Sequence, residues 1–252
     1  SDIYAEPYAI STLGYFYMRL GQQNPDMAPP PRTPYYIPGV DPPGFRVIVT
    51  DFSPYHPDWN TFSGDKWDQP GTFDNYIKPG SPENPNAWGG WSDAADWDRH
   101  LVHVVNIYDI LLPYILSNGK LDEDTLRIAE SGNGIPDILD EARQEVDFWL
   151  RLRYGKGYSH GITIPGNNIM YQADNTPMAA WANAANNAML SEAFRIAGET
   201  SLMETYRDSA IIAYNYASSL PEQQLDVQFT RGFRGKDLKM MAAAYLYNVT
   251  GD

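Results

Sequence analysis

Residues 89–100, Gly-Gly-Trp-Ser-Asp-Ala-Ala-Asp-Trp-Asp-Arg-His, place two carboxylates three positions apart, directly after a Gly-Gly pair and directly before a long apolar run. This spacing predicts a helix that begins near Asp96, with Asp93 at the N-cap and Asp96 in or near the first turn. Both carboxylates would then project from one end of the helix, where they can hold a water molecule between them. On its own, such a pair is more often a helix cap and a dipole partner than a catalytic pair.

The composition is that of a globular protein with a sizeable core: 252 residues, 43% of them hydrophobic and 20% charged. The net charge of −14 is spread along the chain. Nucleic acid and anionic membrane surfaces are therefore not expected as partners, because phosphate binding needs clustered Lys and Arg. The sequence contains no cysteine, which excludes a disulfide framework and a thiolate zinc site. A neutral ligand fits this composition better.

Hydrophobic periodicity predicts an all-α fold of six helices. They are expected at about 4–20, 96–116, 137–153, 177–197, 202–218 and 236–249. Residues 22–95 are rich in proline and are expected to form a long active-site loop with one short strand at 45–50, since loops of this length in compact domains are usually functional. Residues 179–188 are small and weakly polar on all sides, which predicts an inner helix packed by several neighbours.

A second motif, Asn-Gly-Ile-Pro-Asp-Ile-Leu-Asp-Glu-Ala-Arg at 133–143, is a turn that leads into a helix, with Pro136 near its first positions. In this order, the two motifs resemble those of glycoside hydrolase family 9, in which a GGxxDAGDxxK-like segment precedes an NGIPDLLDEAR-like segment. Residues 157–162 and 239–252 are similar to two further family segments, and residues 13–19 look like the opening helix of members with an N-terminal immunoglobulin-like module. The resemblance thus spans almost the whole chain.

The resemblance implies an (α/α)6 barrel that hydrolyses β-1,4-glucosidic bonds with inversion, with Asp96 as the general base and Asp93 orienting the attacking water. Inversion needs an acid about 6.5–9.5 Å from the base, on the opposite face of the sugar. Asp93 and Asp96 are too close in sequence to be that opposed pair, so both belong on the water side. In the family the acid is a glutamate near the end of the catalytic domain, and no such segment follows here.

We therefore expect residues 1–252 to be the N-terminal portion of one catalytic domain, about half of the barrel, and to be inactive alone. The expected partners are a β-glucan or oligosaccharide substrate, the C-terminal remainder of the same domain, which can be a separate chain, and an N-terminal immunoglobulin-like domain. A polysaccharide substrate implies a secreted or periplasmic location.

Aromatic and histidine side chains near the motifs are candidates for sugar contacts, because pyranose faces pack on aromatic rings. The candidates are Trp88, Trp91, Trp97, His100, Tyr158 and His160. For the tryptophans, the alternative is that they fill a proline-rich loop that lacks a regular core. No cofactor is expected and no metal site is predicted, since His100 and His103 lack a third ligand. A structural calcium among the aspartate-rich loops stays open, although no 12-residue calcium-loop pattern is present.

The sequence departs from the family pattern in two places, of which the first bears on the backbone of the turn and the second on the substrate. Ala95 replaces the usual glycine, and Trp97-Asp98-Arg99-His100 replaces the more common aromatic-x-Lys continuation. An endoglucanase-like activity is the first expectation. An exo-acting glucosidase or glucosaminidase of the same family and a non-catalytic carbohydrate-binding protein remain open on the residues alone.

Overall fold

The computed structural model describes residues 3–19, 38–39, 43–52, 73–91, 97–163, 168–221 and 234–252. Within these ranges the α-helices are α1 Ala5–Phe16, α2 His100–Leu116, α3 Asp137–Arg151, α4 Pro177–Ala197, α5 Thr200–Ser218 and α6 Gly235–Thr250. The strands are β1 Arg46–Val49, β2 Trp97–Arg99, β3 Arg153–Tyr154, β4 Gly157–Tyr158, β5 Gly161–Thr163 and β6 Ile169–Gln172. The six predicted helices are present, and none of the described helices is both long and apolar enough to cross a membrane.

Helix α4 lies at the centre of the helical layer. It is buried continuously from Met178 to Phe194, and α2, α3, α5 and α6 all pack against it. Its alanines let the neighbouring helices approach closely. Thr176 caps the start by accepting the Ala179 N–H at 3.1 Å, and Gly198 ends the helix at a φ of 81°. The predicted inner helix is therefore confirmed.

Helix α2 begins later than the sequence predicts. Trp97–Arg99 form strand β2, which pairs antiparallel with β5, and the helix starts at His100. The expected start near Asp96, with Asp93 as the N-cap, is therefore wrong. The cause is long-range pairing with Gly161–Thr163, which overrides the local capping signal.

A small mixed sheet joins the loop region to the helices, with strand order β1–β6–β5–β2. Strand β1 runs parallel to β6, and β5 runs antiparallel to both β6 and β2. The strand predicted at 45–50 is confirmed by β1. The other strands are only two to four residues long, too short to give a period-two pattern, and the sequence did not reveal them.

Helix α1 ends at Phe16, four residues before its predicted end. Arg19 forms an isolated antiparallel bridge with Trp91 instead of continuing the helix. The end of α1 is thereby joined to the Gly-Gly-Trp segment, which lies far along the chain.

Carboxylates hold the turn that leads into α3. Asp137 is fully buried and accepts the Leu126 N–H at 2.7 Å and the Ser131 hydroxyl at 2.8 Å. Asp140 is 3% exposed and accepts the Asn133 amide at 2.8 Å. Burial raises the pKa of Asp140 from its usual 3.8 to about 6, against the lowering effect of that hydrogen bond.

Replacing Asp140 with asparagine should flatten the pH dependence of stability. Because the folded pKa lies above the unfolded one, the native protein binds this proton more tightly, and the free energy of unfolding falls as the pH rises from about 3.8 to about 6. Asp140→Asn removes this contribution and keeps an acceptor for Asn133. Urea unfolding curves between about pH 3.5 and 7 measure the free energy of unfolding across the interval in which Asp140 titrates. Asp208→Asn, on the exposed face of α5, is the matched control; equal slopes for Asp140→Asn and the parent would contradict the prediction.

Candidate active site

The structure describes both flanks of residues 92–96 but not those residues themselves, so Asp93 and Asp96 lie outside the described residues. The first flank is Trp91, which is 2% exposed. The second flank is β2, whose backbone pairs with β5. Trp97 and His100 belong to this second flank, and their side chains also lie outside the described part.

Helix α3 holds Trp91 through two carboxylates. The Trp91 backbone N–H donates to Glu145 Oε2 at 2.7 Å, and its indole Nε1–H donates to Glu141 Oε1 at 2.7 Å. The two glutamates are four positions apart and therefore lie on the same face of the helix. The Trp91 ring also packs against Tyr15, with 4.5 Å between the ring centroids. Both the backbone and the side chain of residue 91 are thus fixed by the helix of the second motif.

Arg19 joins α1 to this arrangement. Its side chain is 1% exposed, and its guanidinium lies 2.9 Å from Glu141 Oε2 and 3.0 Å from Glu130 Oε2. Burial raises the pKa of Glu141 to about 7, while the Arg19 charge and the Trp91 hydrogen bond act in the opposite direction. Removing either partner would leave an uncompensated buried charge, which typically costs about 3–5 kcal/mol. The end of α1, residue 91 and α3 therefore form one rigid unit.

Glu145 has three nitrogen partners. Besides the Trp91 N–H, it accepts the Trp149 Nε1–H at 2.6 Å and lies 2.5 Å from His103 Nδ1 through the same oxygen, Oε1. A carboxylate only accepts hydrogen bonds, which places the His103 hydrogen on Nδ1. His103 is 4% exposed and lies in the first turn of α2.

The described candidates for sugar contacts differ in accessibility. Trp88 is 36% exposed, and the Arg151 guanidinium lies over its ring at 4.2 Å from the centroid. Trp91, Tyr158 and His160 are buried, which favours packing roles for them in this part of the domain. His160 immediately precedes β5, the strand that pairs with β2. The sugar contacts stay predictions, and Trp88 is the candidate with an accessible ring.

The Arg19–Glu141 pair and the Glu145–His103 contact were not predicted from the sequence. A signal for them exists in α3, where Glu141 and Glu145 share a helical face with Ile138, Ala142 and Trp149, all buried. Charged residues at core positions of an amphipathic helix need partners, because an unpaired buried charge is costly. Within the described residues, no group of three or more His, Asp or Glu side chains is arranged to hold a metal ion; the calcium option stays a prediction.

The Gly-Gly pair before Trp91 gives a stability test. Gly89 and Gly90 both have positive φ, at 88° and 80°, so alanine at either site is strained by about 1–2 kcal/mol. A Cβ at Gly90 would also overlap the ring of Phe148, whereas at Gly89 it would meet the flexible ends of Arg151 and Gln144 at 3.0 and 3.2 Å. We expect Gly90→Ala to lower the free energy of unfolding by roughly 1–3 kcal/mol more than Gly89→Ala. Denaturant titration compares the two; equal losses would show that Phe148 does not confine Gly90.

Solved structures of other proteins share this architecture. No family model matches the chain. Endoglucanase D of Acetivibrio thermocellus is 25% identical over 202 residues, which cover 71% of this chain and 31% of the relative. A solved structure of a glycoside hydrolase family 9 endoglucanase from a metagenome aligns with this chain at a TM-score of 0.72 and 18% identity. The alignment covers 100% of this chain and 44% of the endoglucanase chain. A Bacteroides ovatus GH9 structure aligns at a TM-score of 0.71 and 20% identity, and the alignment covers 98% of this chain and 46% of the Bacteroides ovatus chain.

The chain spans about a third of the length of the curated relative and less than half of the solved structures. The expected resemblance to family 9 and the expected fold, a partial (α/α)6 barrel, are confirmed by these structures. The sequence had predicted both from the two motifs, three further similar segments and the succession of helices.

Proposed function

We propose that this chain is the N-terminal part of the catalytic domain of an inverting glycoside hydrolase that cleaves β-1,4-glucosidic bonds. The observation that supports it most directly is the contact between the two motifs: Glu141 and Glu145, on the helix opened by the second motif, hold Trp91 of the first. Motifs that resemble family 9 in sequence thus meet in space at Trp91, which directly precedes the segment of the candidate acids in the sequence. The endoglucanase relatives and the shared fold agree with this assignment.

In the proposed mechanism, Asp96 removes a proton from the attacking water while Asp93 orients that water. The leaving oxygen takes its proton from an acid on the opposite face of the sugar, about 6.5–9.5 Å away. That acid would come from the C-terminal remainder of the domain, so the 252 residues alone would not turn over substrate. This division agrees with the chain covering 44% and 46% of the two solved structures.

The proposed substrate is a neutral β-glucan or its oligosaccharides, which fits a net charge of −14 better than an acidic polymer does. Trp88 is the best-placed stacking residue among those described, because it is 36% exposed; Arg151 covers one face of its ring, so a sugar would stack on the other. Trp97 and His100 remain proposed contacts, whereas the burial of Trp91, Tyr158 and His160 makes them weaker candidates than Trp88. A polymeric substrate would be met outside the cytoplasm, so secretion or a periplasmic location is part of the proposal.

The base assignment is tested in the whole enzyme that carries this chain. Asp96→Asn should lower kcat on cello-oligosaccharides by about 10²–10⁴-fold, because general base catalysis contributes that much. Oligosaccharide binding, measured by calorimetry, should be retained. Asp122→Asn is the matched control, since Asp122 is an exposed carboxylate outside the two motifs.

Two results would overturn parts of this proposal. Full activity in Asp96→Asn would remove the base assignment. A parent protein that binds oligosaccharides but hydrolyses none of them would favour the non-catalytic carbohydrate-binding alternative. Product lengths from a long glucan separate an endo-acting enzyme from the exo-acting alternative.

The stereochemical outcome is a separate prediction. Inversion at a β-linkage releases the α-anomer as the first product, because water attacks the face opposite the leaving group. Proton NMR of the anomeric signals during the first minutes of hydrolysis records this directly. A β-anomer as the first product would indicate a retaining mechanism and would rule out the proposed role of Asp96.

A further inference from the structure

One carboxylate contacts the chain on both sides of residues 92–96. Glu145 accepts the backbone N–H of Trp91, just before that segment, at 2.7 Å. It also lies 2.5 Å from Nδ1 of His103, which follows the segment in the first turn of α2. The Glu145 side chain is fully buried.

A buried carboxylate at this position is costly unless its hydrogen bonds are made. The desolvation penalty is several kcal/mol per ion, and an apolar side chain of similar volume often packs equally well. The neighbours of Glu145 on the buried face of α3, such as Ala142 and Trp149, show that the helix has apolar packing available. Packing alone therefore does not account for Glu145, whereas its contacts with Trp91 and His103 give it a geometric role.

We propose that Glu145 is a positioning residue for the water-activating pair in residues 92–96, an inference that rests on the proposed function. Glu145 fixes the backbone at Trp91, directly before residues 92–96, relative to α2, which follows them. The exit itself is held by β2, which pairs with β5. The positions of these two flanks limit where the candidate acids between them can lie, and a displacement of about 1 Å is enough to cost 10²-fold in rate.

Glu141 differs from Glu145 in a way that sharpens the assignment. Glu141 binds the Trp91 indole and Arg19, and within the described part of the chain it contacts neither the Trp91 backbone N–H nor α2 through a hydrogen bond. Its substitution should therefore act mainly on stability. Of the two glutamates, only Glu145 connects the Trp91 backbone to α2.

The test uses the whole enzyme that carries this chain, with cello-oligosaccharides as substrate. Glu145→Gln replaces two acceptor oxygens with one, so either the Trp91 N–H or both the His103 and Trp149 N–H groups lose their acceptor. We expect kcat to fall by about 10–100-fold with KM changed less than about twofold, because the substrate contacts stay in place. Glu192→Gln is the matched control: Glu192 is also a buried carboxylate, but its partner is Arg195 on α4. Loss of stability alone, with kcat unchanged, would overturn the positioning role.

A second pair of variants keeps the inference testable if Glu145→Gln does not fold. His103→Leu removes the N–H that reaches Glu145, whereas His103→Asn supplies an amide N–H near the position of Nδ1. We expect His103→Leu to lower kcat and His103→Asn to restore most of it. Equal kcat in both variants would contradict the inference.

The double variant Glu145→Gln/Asp96→Asn separates this inference from the proposed function. If Glu145 acts through the pair, the double variant loses no more activity than Asp96→Asn alone; multiplied losses would show an independent effect. If Asp96→Asn keeps full activity, the base assignment fails. If Asp96→Asn is inactive while Glu145→Gln and His103→Leu keep their kcat, only the positioning role fails.

Discussion

The bond from the Trp91 backbone N–H to Glu145 is the constraint on which the arrangement of this region depends. It joins the first motif to the helix of the second, and a further bond from the Trp91 indole to Glu141 fixes the orientation of the Trp91 side chain. Arg19 neutralises Glu141, so that the charge needed to hold Trp91 can be buried. Without that neutralisation, the free energy cost of desolvating Glu141 would oppose the contact it makes.

Helix α4 supports the contact between His103 and Glu145, because both α2 and α3 pack against it. Its alanines allow α2 and α3 to pack against one helix at the same time, which brings His103 of α2 and Glu145 of α3 within hydrogen-bond distance. Larger side chains along α4 would push the two helices outward. The small residues among 179–185 of α4 share a buried cluster with Val104 and Val105 of α2, whereas Met189, Leu190 and Phe194 of α4 lie in the cluster that contains Trp91 and Trp149.

The sequence predicted the features that depend on local periodicity. Six helices, the inner position of α4 and strand β1 follow from the pattern of apolar residues and from turn residues such as Gly198. The start of α2 did not follow, because Trp97–Arg99 pair with residues more than 60 positions away, and a three-residue strand has no pattern of its own. Glu141 and Glu145 were not expected as partners of Trp91, although both lie on the apolar face of α3. Only the assembled fold shows that their partners come from α1, residue 91 and α2.

The described contacts also bear on how the two halves of an inverting site would be assembled. Every partner of Trp91 and Glu145 named above lies within residues 15–149, so this geometry does not require the portion of the domain that would supply the acid. The buried ion pair and hydrogen bonds within this part hold the backbone on both sides of residues 92–96. Under the proposed function, the remaining helices would add the general acid to these flanks. The spacing between acid and base would then depend both on how the two parts dock and on how Glu145 holds the flanks of the acid pair.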